Sequence, residues 1–248
     1  MDVRFIVEPI YSLHNNKLIA MEVLSRFKFN NGMQAPAIKI LKMLSQDVKN
    51  KLLNKQLEWI TANKKFFIEN NIICSVNVDD GLCTFIYEDE RIQKIIKENN
   101  FIAFEISESH PNLDMDDRVI DFLFSLSGYI WLDDFGSSNA TMSAVIKRPY
   151  HAIKIDKCFL QHNIENHTIS ETIKRIKEFV PHVIAEGIEN DVYHKMSVEL
   201  DLWGGQGYYF LNTNMSPHCE MVSNCLSVDF LTGLEHREGW TLSSMGGR

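Results

Sequence analysis

Cysteine is scarce in this sequence, and the five cysteines are scattered without any Cys-x-x-Cys spacing. An odd, scattered set is not the framework of a small secreted domain held together by disulfides. Long apolar runs are also missing: a segment such as 101–104 is far shorter than the roughly 18 residues that a membrane span needs. We therefore expect a reduced, cytoplasmic protein with no leader and no membrane segment.

Basic residues are outnumbered, with 25 Lys and Arg against 33 Asp and Glu, which gives a formal net charge of −8. This balance argues against DNA binding by the whole surface, and a polyanion would need local donors or metal ions. The low content of Gly (12) and Pro (6) excludes collagen-like and disordered chains. A length of 248 residues suits one large domain, which we place at 1–234, followed by a polar and disordered tail at 235–248.

Short β-rich segments alternate with helix-like segments along most of the chain. Segments 5–13 and 17–27 flank a turn and predict a hairpin. The further predicted strands are 72–78, 101–107, 129–135, 152–155, 182–188 and 202–210. The predicted helices are 35–70, 84–98, 114–126, 139–147, 167–180, 190–200 and 219–231. This order predicts an α/β fold with a mainly parallel sheet, either open and doubly wound or closed, and the strand number favours a (β/α)8 TIM-like barrel.

Polar residues able to do chemistry end or interrupt most of the predicted strands. They are Glu22, Asn77, Glu105, Asp133, Asp134, Lys154, Glu186 and Gln206. A barrel would bring them to one mouth, where a single lysine could not neutralise five carboxylates. Oxygen ligands of this kind suit two Mg²⁺ or Mn²⁺ ions, and the adjacent pair Asp133 and Asp134 could bridge them. The pattern therefore predicts metal-assisted hydrolysis of a phosphodiester.

Seven dispersed segments resemble, in the same order, motifs of the EAL-domain family of cyclic di-GMP phosphodiesterases. The first, 22–27, reads Glu-Val-Leu-Ser-Arg-Phe and has Val in place of the Ala that names the family. The others are 76–78, 104–109, 133–136, 154–156, 185–189 and 205–208. The resemblance runs from Glu8 to about Phe210. It implies an EAL-type barrel with one antiparallel strand near the N-terminus, and hydrolysis of cyclic di-GMP to linear pGpG.

The resemblance also implies roles for single residues. The metal ligands it implies are Glu22, Asn77, Glu105 and Asp133 for one ion, and Asp133, Asp134 and Glu186 for the other. Lys154 resembles the lysine that orients the attacking water, and Glu186 is implied as general base. Calcium is expected to inhibit, because its looser coordination would misplace the bridging water.

On the substrate side, the resemblance implies that Arg26 contacts a phosphate and that Glu189 and Gln206 line the substrate site. Glu108 is implied as a brace for the loop after Asp134. The implied ligand is cyclic di-GMP, and a homodimer and a regulatory protein partner are further candidates.

Several positions depart from the family pattern. Glu8 stands where a Gln is usual, and an acid there would weaken binding of a dianionic ligand. The loop 136–141 lacks the usual second glycine. Two functions therefore stay open at this point: an active phosphodiesterase, and an idle domain that binds cyclic di-GMP or a protein partner. Hydrolysis of another nucleotide is a third.

Overall fold

The structure is a computed structural model that describes residues 2–29, 33–137, 142–163 and 167–212. The predicted helix 219–231, the domain boundary at residue 234 and the predicted tail all lie outside the described residues.

The described residues form the strands β1 (Asp2–Ser12), β2 (Leu18–Lys28), β3 (Gln34–Ala35), β4 (Ile73–Val78), β5 (Ile102–Ser107), β6 (Ile130–Phe135), β7 (Ala152–Ile155), β8 (His182–Ala185) and β9 (Gly204–Gly205). Eight of these strands close into a barrel in the order β1–β9–β8–β7–β6–β5–β4–β2, and β2 pairs back with β1. Strand β1 is antiparallel to both of its neighbours, whereas every other pair in the ring is parallel. The short β3 pairs with β2 outside the ring. The predicted TIM-like barrel with one antiparallel strand is confirmed, and the open sheet was the wrong alternative.

Helices follow the strands and cover the barrel. They are α1 (Ala37–Met43), α2 (Gln46–Ala62), α3 (Lys64–Asn70), α4 (Asp80–Glu88), α5 (Glu90–Glu98), α6 (Arg118–Leu126), α7 (Met142–Lys147), α8 (Lys157–His162), α9 (His167–Lys177), α10 (Asp191–Glu199) and α11 (Tyr208–Asn212). Within the described residues, no helix combines the length and the apolar character that crossing a bilayer requires.

Two predicted helices are wrong in their continuity. The segment 35–70 forms three helices, because the backbone leaves the helical region at Leu44 and Ser45 and again changes at Asn63. The segment 84–98 is divided at Asp89, whose carboxylate accepts hydrogen bonds from the N–H groups of Arg91 and Ile92. Such a side-chain cap starts a new helix in the middle of an otherwise helical pattern.

The last predicted strand, 202–210, is also wrong: only Gly204–Gly205 pair as a strand, and α11 begins at Tyr208. Gly207 lies between them with φ +150°, and a Cβ there would stand 2.3 Å from the carbonyl oxygen of Ile188. The chain must therefore turn at Gly207, pressed against the backbone that follows β8. The α8 helix was not predicted, the α6 helix begins at Arg118 rather than at 114, and β8 ends at Ala185 rather than at 188.

A single indole fills the inside of the barrel below its mouth. Trp131 is fully buried and packs with small or aliphatic residues from the other strands: Ile10, Ala20, Ala103, Ala152 and Ile184. The three alanines leave the room that a large side chain needs at the barrel axis. We call this layer of Trp131, Ile10, Ala20, Ala103, Ala152 and Ile184 the floor of the barrel, and the polar residues of the mouth form the next layer above it.

Candidate active site

The polar residues at the barrel mouth stand two positions after the residues of the floor. Glu22 follows Ala20, Glu105 follows Ala103, and the remaining pairs obey the same spacing. They are Trp131 and Asp133, Ala152 and Lys154, and Ile184 and Glu186. Side chains at i and i+2 of a strand lie on the same face, so these five strands each contribute one packing residue and, above it, one chemical residue. In this way the fold brings together groups that are up to 164 positions apart along the chain (186 − 22 = 164).

Lys154 is the centre of the cluster. Its side chain is 1% exposed, and its Nζ lies 2.7 Å from Glu186 Oε1, 2.9 Å from Glu105 Oε2, 3.1 Å from Glu22 Oε2 and 3.2 Å from Asp133 Oδ1. Burial lowers the pKa of Lys154, but the four carboxylates outweigh it and hold this pKa well above its ordinary value. The ammonium therefore stays charged inside the barrel.

Glu22 is held by neutral amides as well as by the lysine. Asn77 Nδ2 donates to Glu22 Oε1 at 2.7 Å, and Gln206 Nε2 donates to Glu22 Oε2 at 2.9 Å. Burial raises the pKa of Glu22. The charge of Lys154 and these two hydrogen bonds lower it by more than burial raises it, so the pKa of Glu22 is below its usual value. Glu22 is thus the carboxylate of this cluster that the surroundings keep ionised.

The other carboxylates of the cluster are shifted in the opposite direction. Burial raises the pKa of Glu186 to about 8 in spite of Lys154, and burial together with the charge of Glu22 raises that of Glu105 well above the ordinary value. Burial also raises the pKa of Asp133, and burial with the neighbouring Asp133 raises that of Asp134 to about 6. One ammonium does not compensate this concentration of acid, and the cluster favours additional positive charge.

A backbone irregularity turns two consecutive carboxylates to the same side. In a regular strand the side chains of Asp133 and Asp134 would point to opposite faces. Here Asp134 has φ 59°, and the pairing of β6 with β7 shifts between Leu132 and Phe135. One carboxylate oxygen from each of Asp133, Asp134 and Glu186 therefore lies within 4.8 Å of the others. This bulge is the local feature that makes a three-carboxylate site out of one strand end and its neighbour.

The residues fit a hard divalent cation. The donors are carboxylate and amide oxygens, the ligand type that Mg²⁺ and Mn²⁺ prefer. Glu105 Oε1 is fully buried and has no hydrogen-bond partner among the described residues. A buried carboxylate oxygen without a partner is costly, and a cation would satisfy it. Asp133, Asp134 and Glu186 can hold one ion, and Glu22, Asn77 and Glu105 surround the same mouth.

Glu108 lies below the loop that follows the two aspartates. Its carboxylate accepts the N–H of Gly136 at 3.1 Å and the hydroxyl of Ser137 at 2.7 Å. These contacts fix the chain directly after Asp134, the position expected of a brace. The rest of that loop, 138–141, lies outside the described residues.

Arg26 reaches the mouth from β2, but it is already paired within the chain. Its guanidinium donates to Glu8 Oε1 at 2.7 Å, and Glu8 Oε2 in turn accepts from Gln206 Nε2 at 3.2 Å. The sequence marked Glu8 as a departure but gave no sign of this contact, because it depends on the pairing of β1 with β2.

Glu189, which the sequence predicted to line the substrate site, contacts a residue outside the acidic cluster. It forms an ion pair with Lys157, the first residue of α8. Lys157 was not recognised from the sequence, and its position three residues after Lys154 was the only available signal. Glu189 is not among the four carboxylates that surround Lys154.

A cavity of about 500 Å³ opens beside the acidic cluster, a size that accommodates a small organic ligand. One wall carries the polar groups of the strands: Glu22, Arg26, Asn77, Glu105, Asp133 and Asp134. The first two helices contribute both apolar and polar residues to the lining: Ala37, Ile38, Leu41, Leu52 and Leu53, together with Lys42, Lys49 and Gln56. The cavity can therefore hold a ligand that places apolar surface against the helices, and an anionic part beside the carboxylates of the strands would need cations bound there.

Comparison with known proteins identifies the family and finds relatives of two kinds. The family model described as the EAL domain matches residues 2–213. The chain is 25% identical to YdiV of Escherichia coli strain K12 over 181 residues, which are 69% of this chain and 75% of YdiV. It is 24% identical over 208 residues to the cyclic di-GMP phosphodiesterase PdeH of the same strain, covering 82% of this chain and 80% of PdeH. YdiV of Salmonella typhimurium, 21% identical over 154 residues (61% of this chain and 65% of that protein), is named as an anti-FlhC(2)FlhD(4) factor.

Solved structures share the fold. The crystal structure of the EAL-like domain protein YdiV superposes with a TM-score of 0.73 at 23% identity, covering 84% of this chain and 89% of that one. The EAL enzyme Bd1971, bound to cAMP and cyclic di-GMP, gives a TM-score of 0.70 at 19% identity, covering 88% of this chain and 64% of that one.

Proposed function

The chain belongs to the EAL domain family, and we propose that it is a metal-dependent phosphodiesterase that hydrolyses one phosphodiester bond of cyclic di-GMP and releases linear pGpG. The observation that carries this proposal is the convergence of four carboxylates and Asn77 around the buried Lys154. A domain that acted only as a scaffold would have no need of so much buried charge, which costs stability.

The proposed metal ligands are the mouth residues already described. They are Glu22, Asn77, Glu105, Asp133, Asp134 and Glu186. Two Mg²⁺ or Mn²⁺ ions, when bound, would lower the pKa of a water and neutralise charge on the phosphoryl oxygens.

The remaining groups of the chain orient the reactants. Lys154 carries a fixed positive charge at the centre of the cluster and steadies the negative charge that develops on the phosphoryl group. Glu186, at the rim above β8, would take the proton of the attacking water. Arg26 offers a guanidinium fork to a phosphate of the substrate, and the apolar residues on the helix side of the cavity would pack against a guanine ring. Gln206, between Glu8 and Glu22, belongs to the substrate side, and Glu189 would join it on leaving its ion pair with Lys157. Glu108 keeps the Asp134 loop in place.

A direct assay tests the proposal. Purified protein incubated with cyclic di-GMP and Mg²⁺ or Mn²⁺ is expected to release pGpG, measured by liquid chromatography. Glu22→Ala and Lys154→Ala are expected to abolish turnover, because each removes a group from the centre of the cluster. Glu98→Gln, which changes an exposed helix residue paired with Lys94, is the matched control and should retain full activity.

The folded state of each variant is checked by circular dichroism. Absence of pGpG with either metal, from folded wild-type protein, would refute the proposed reaction. Unchanged rates in both cluster variants would refute the site assignment.

A second candidate function is a regulator that is catalytically weak or idle and that binds cyclic di-GMP or a protein partner. The likeness to YdiV and the pairing of Arg26 with Glu8 favour it. The same preparation separates the two: calorimetric binding of cyclic di-GMP without pGpG release would support this candidate and contradict the first. Linear and other cyclic dinucleotides in the same assay test a different nucleotide substrate.

A further inference from the structure

Arg26 and Glu8 form an ion pair at the edge of the cavity. The guanidinium nitrogen lies 2.7 Å from the carboxylate, and the two side chains are 39% and 40% exposed. Arg26 lines the cavity together with Glu22 and Asn77. The arginine that faces the mouth is therefore occupied by an anion that belongs to the chain itself, and this anion is accessible to solvent and can be displaced.

The barrel register places Glu8 beside the acidic cluster. In the antiparallel pairing of β1 with β2, Glu8 stands directly opposite Glu22. Like charges in this position repel each other. Gln206 lies between them and donates from the same amide nitrogen to Glu22 at 2.9 Å and to Glu8 at 3.2 Å. Glu8 thus adds a negative charge at the point where an anionic ligand would approach Arg26.

We propose that Glu8 lowers the affinity for phosphodiester ligands by competing with them for Arg26. The proposal rests on the proposed function and deepens it, since it assigns to this chain its own limit on substrate affinity. A phosphate must displace the Glu8 carboxylate before it can use the guanidinium, and the displaced carboxylate then repels it. Glu8 makes no ion pair with Lys154, and it acts on Glu22 through Gln206 and by repulsion across the strand pair. We therefore expect the effect to fall on substrate binding, with little change in the chemical step.

The test is the isosteric variant Glu8→Gln, assayed for pGpG release from cyclic di-GMP with Mn²⁺. We expect KM to fall roughly fivefold, the effect of one unit charge at about 4 Å in water, with kcat unchanged. The difference in KM between Glu8→Gln and wild-type protein should become smaller at high salt, because Arg26 and Glu8 are partly exposed and salt screens their charges. Glu8→Asp retains the charge on a shorter side chain, so it should lower KM less than Glu8→Gln does. Glu98→Gln makes the same change in net charge far from the mouth and should leave KM unchanged.

A second set of variants, in which Arg26 is replaced by Ala, tests whether the effect of Glu8 depends on Arg26. If Glu8 acts by competing for Arg26, then Glu8→Gln should lower KM less in this background than in wild-type protein. An equal effect in both backgrounds would show general repulsion and overturn the competition. An unchanged or higher KM for Glu8→Gln, in active protein, would also overturn it.

Failure of the proposed function is distinguishable from failure of this inference. If neither wild-type protein nor Glu8→Gln releases pGpG, the dissociation constant of cyclic di-GMP is compared directly by calorimetry. Tighter binding by Glu8→Gln would then support the competition although the chain is not an enzyme. Equal binding, or no binding by either protein, would overturn it.

Discussion

Replacing Lys154 by Met should destabilise the protein strongly and in a way that depends on pH and on divalent ions. The substitution leaves four carboxylates, from Glu22, Glu105, Asp133 and Glu186, without the ammonium that touches all of them. Removing one partner of a buried ion pair costs about 3–5 kcal/mol. For a chain of this length, roughly 2–4 °C of melting temperature corresponds to each kcal/mol, so the melting temperature should fall by about 6–20 °C.

The sign of the pH dependence follows from Glu22. In the wild-type protein Lys154 and the amides outweigh burial and hold the pKa of Glu22 below its ordinary value. Without Lys154, burial should raise this pKa in the folded state above that of the unfolded chain. A group with a raised folded pKa favours folding at low pH and opposes it as the pH rises. The variant should therefore lose more free energy of unfolding at pH 8 than at pH 5, compared with wild-type protein.

Thermal and urea unfolding, each in EDTA and in Mn²⁺, provide the measurement. We expect the difference in free energy of unfolding between Lys154→Met and wild type to be largest in EDTA at pH 8. It should be smaller in Mn²⁺, since the cation replaces part of the missing positive charge. Lys147→Met, which removes an exposed lysine paired with Asp116, is the control and should change stability little. Equal midpoints for Lys154→Met and wild type at pH 8 in EDTA would refute the central role of the lysine.

Two further predictions concern the floor of the barrel and the choice of cation. Trp131→Ala should lower the free energy of unfolding by about 3–5 kcal/mol in urea titrations, because the surrounding alanines cannot fill the space left by a buried indole. A loss below about 1 kcal/mol would contradict this reasoning and show that the barrel collapses into the space. Ca²⁺ added to the Mn²⁺-dependent assay should inhibit pGpG release, since the same carboxylates would hold this larger ion in a looser coordination than Mg²⁺ or Mn²⁺. Activation by Ca²⁺ would contradict the proposed site.

The sequence predicted the barrel and the members of the acidic cluster because both depend on regular periodicity. Each strand is a short apolar run, and a polar residue near its carboxyl end stands out in such a run, as Glu105 and Lys154 do. The C-terminal ends of parallel strands meet at one mouth, so the spacing along the chain was sufficient to bring these residues together. The same reasoning could not predict the bulge at Asp134, because its positive φ depends on the pairing of β6 with β7.

The errors in the helices have a local origin. Segments 35–70 and 84–98 are helical in composition almost throughout, and periodicity does not report a break of one or two residues. Asp89 was readable as a cap, since it precedes Glu90 and Arg91, but the helical pattern on both sides concealed it. Segment 202–210 was predicted as one strand from its own residues. The turn at Gly207 depends on a close tertiary contact with Ile188, which the local sequence does not indicate.

The contact between Glu8 and Arg26 shows how much function depends on register rather than on composition. The hairpin pairs Tyr11 with Leu18 but Ile10 with Ala20, so one residue is left over between them. Without this irregularity Glu8 would stand opposite Met21, and the relation of its side chain to the acidic cluster would be reversed. Because β1 runs against the other strands, the residue above the floor is the one two positions before Ile10 in the chain, Glu8, and not the one two positions after it. Glu8 therefore shares the mouth with the cluster while remaining outside the packed layer, and a change at this position can alter ligand affinity without disturbing the barrel.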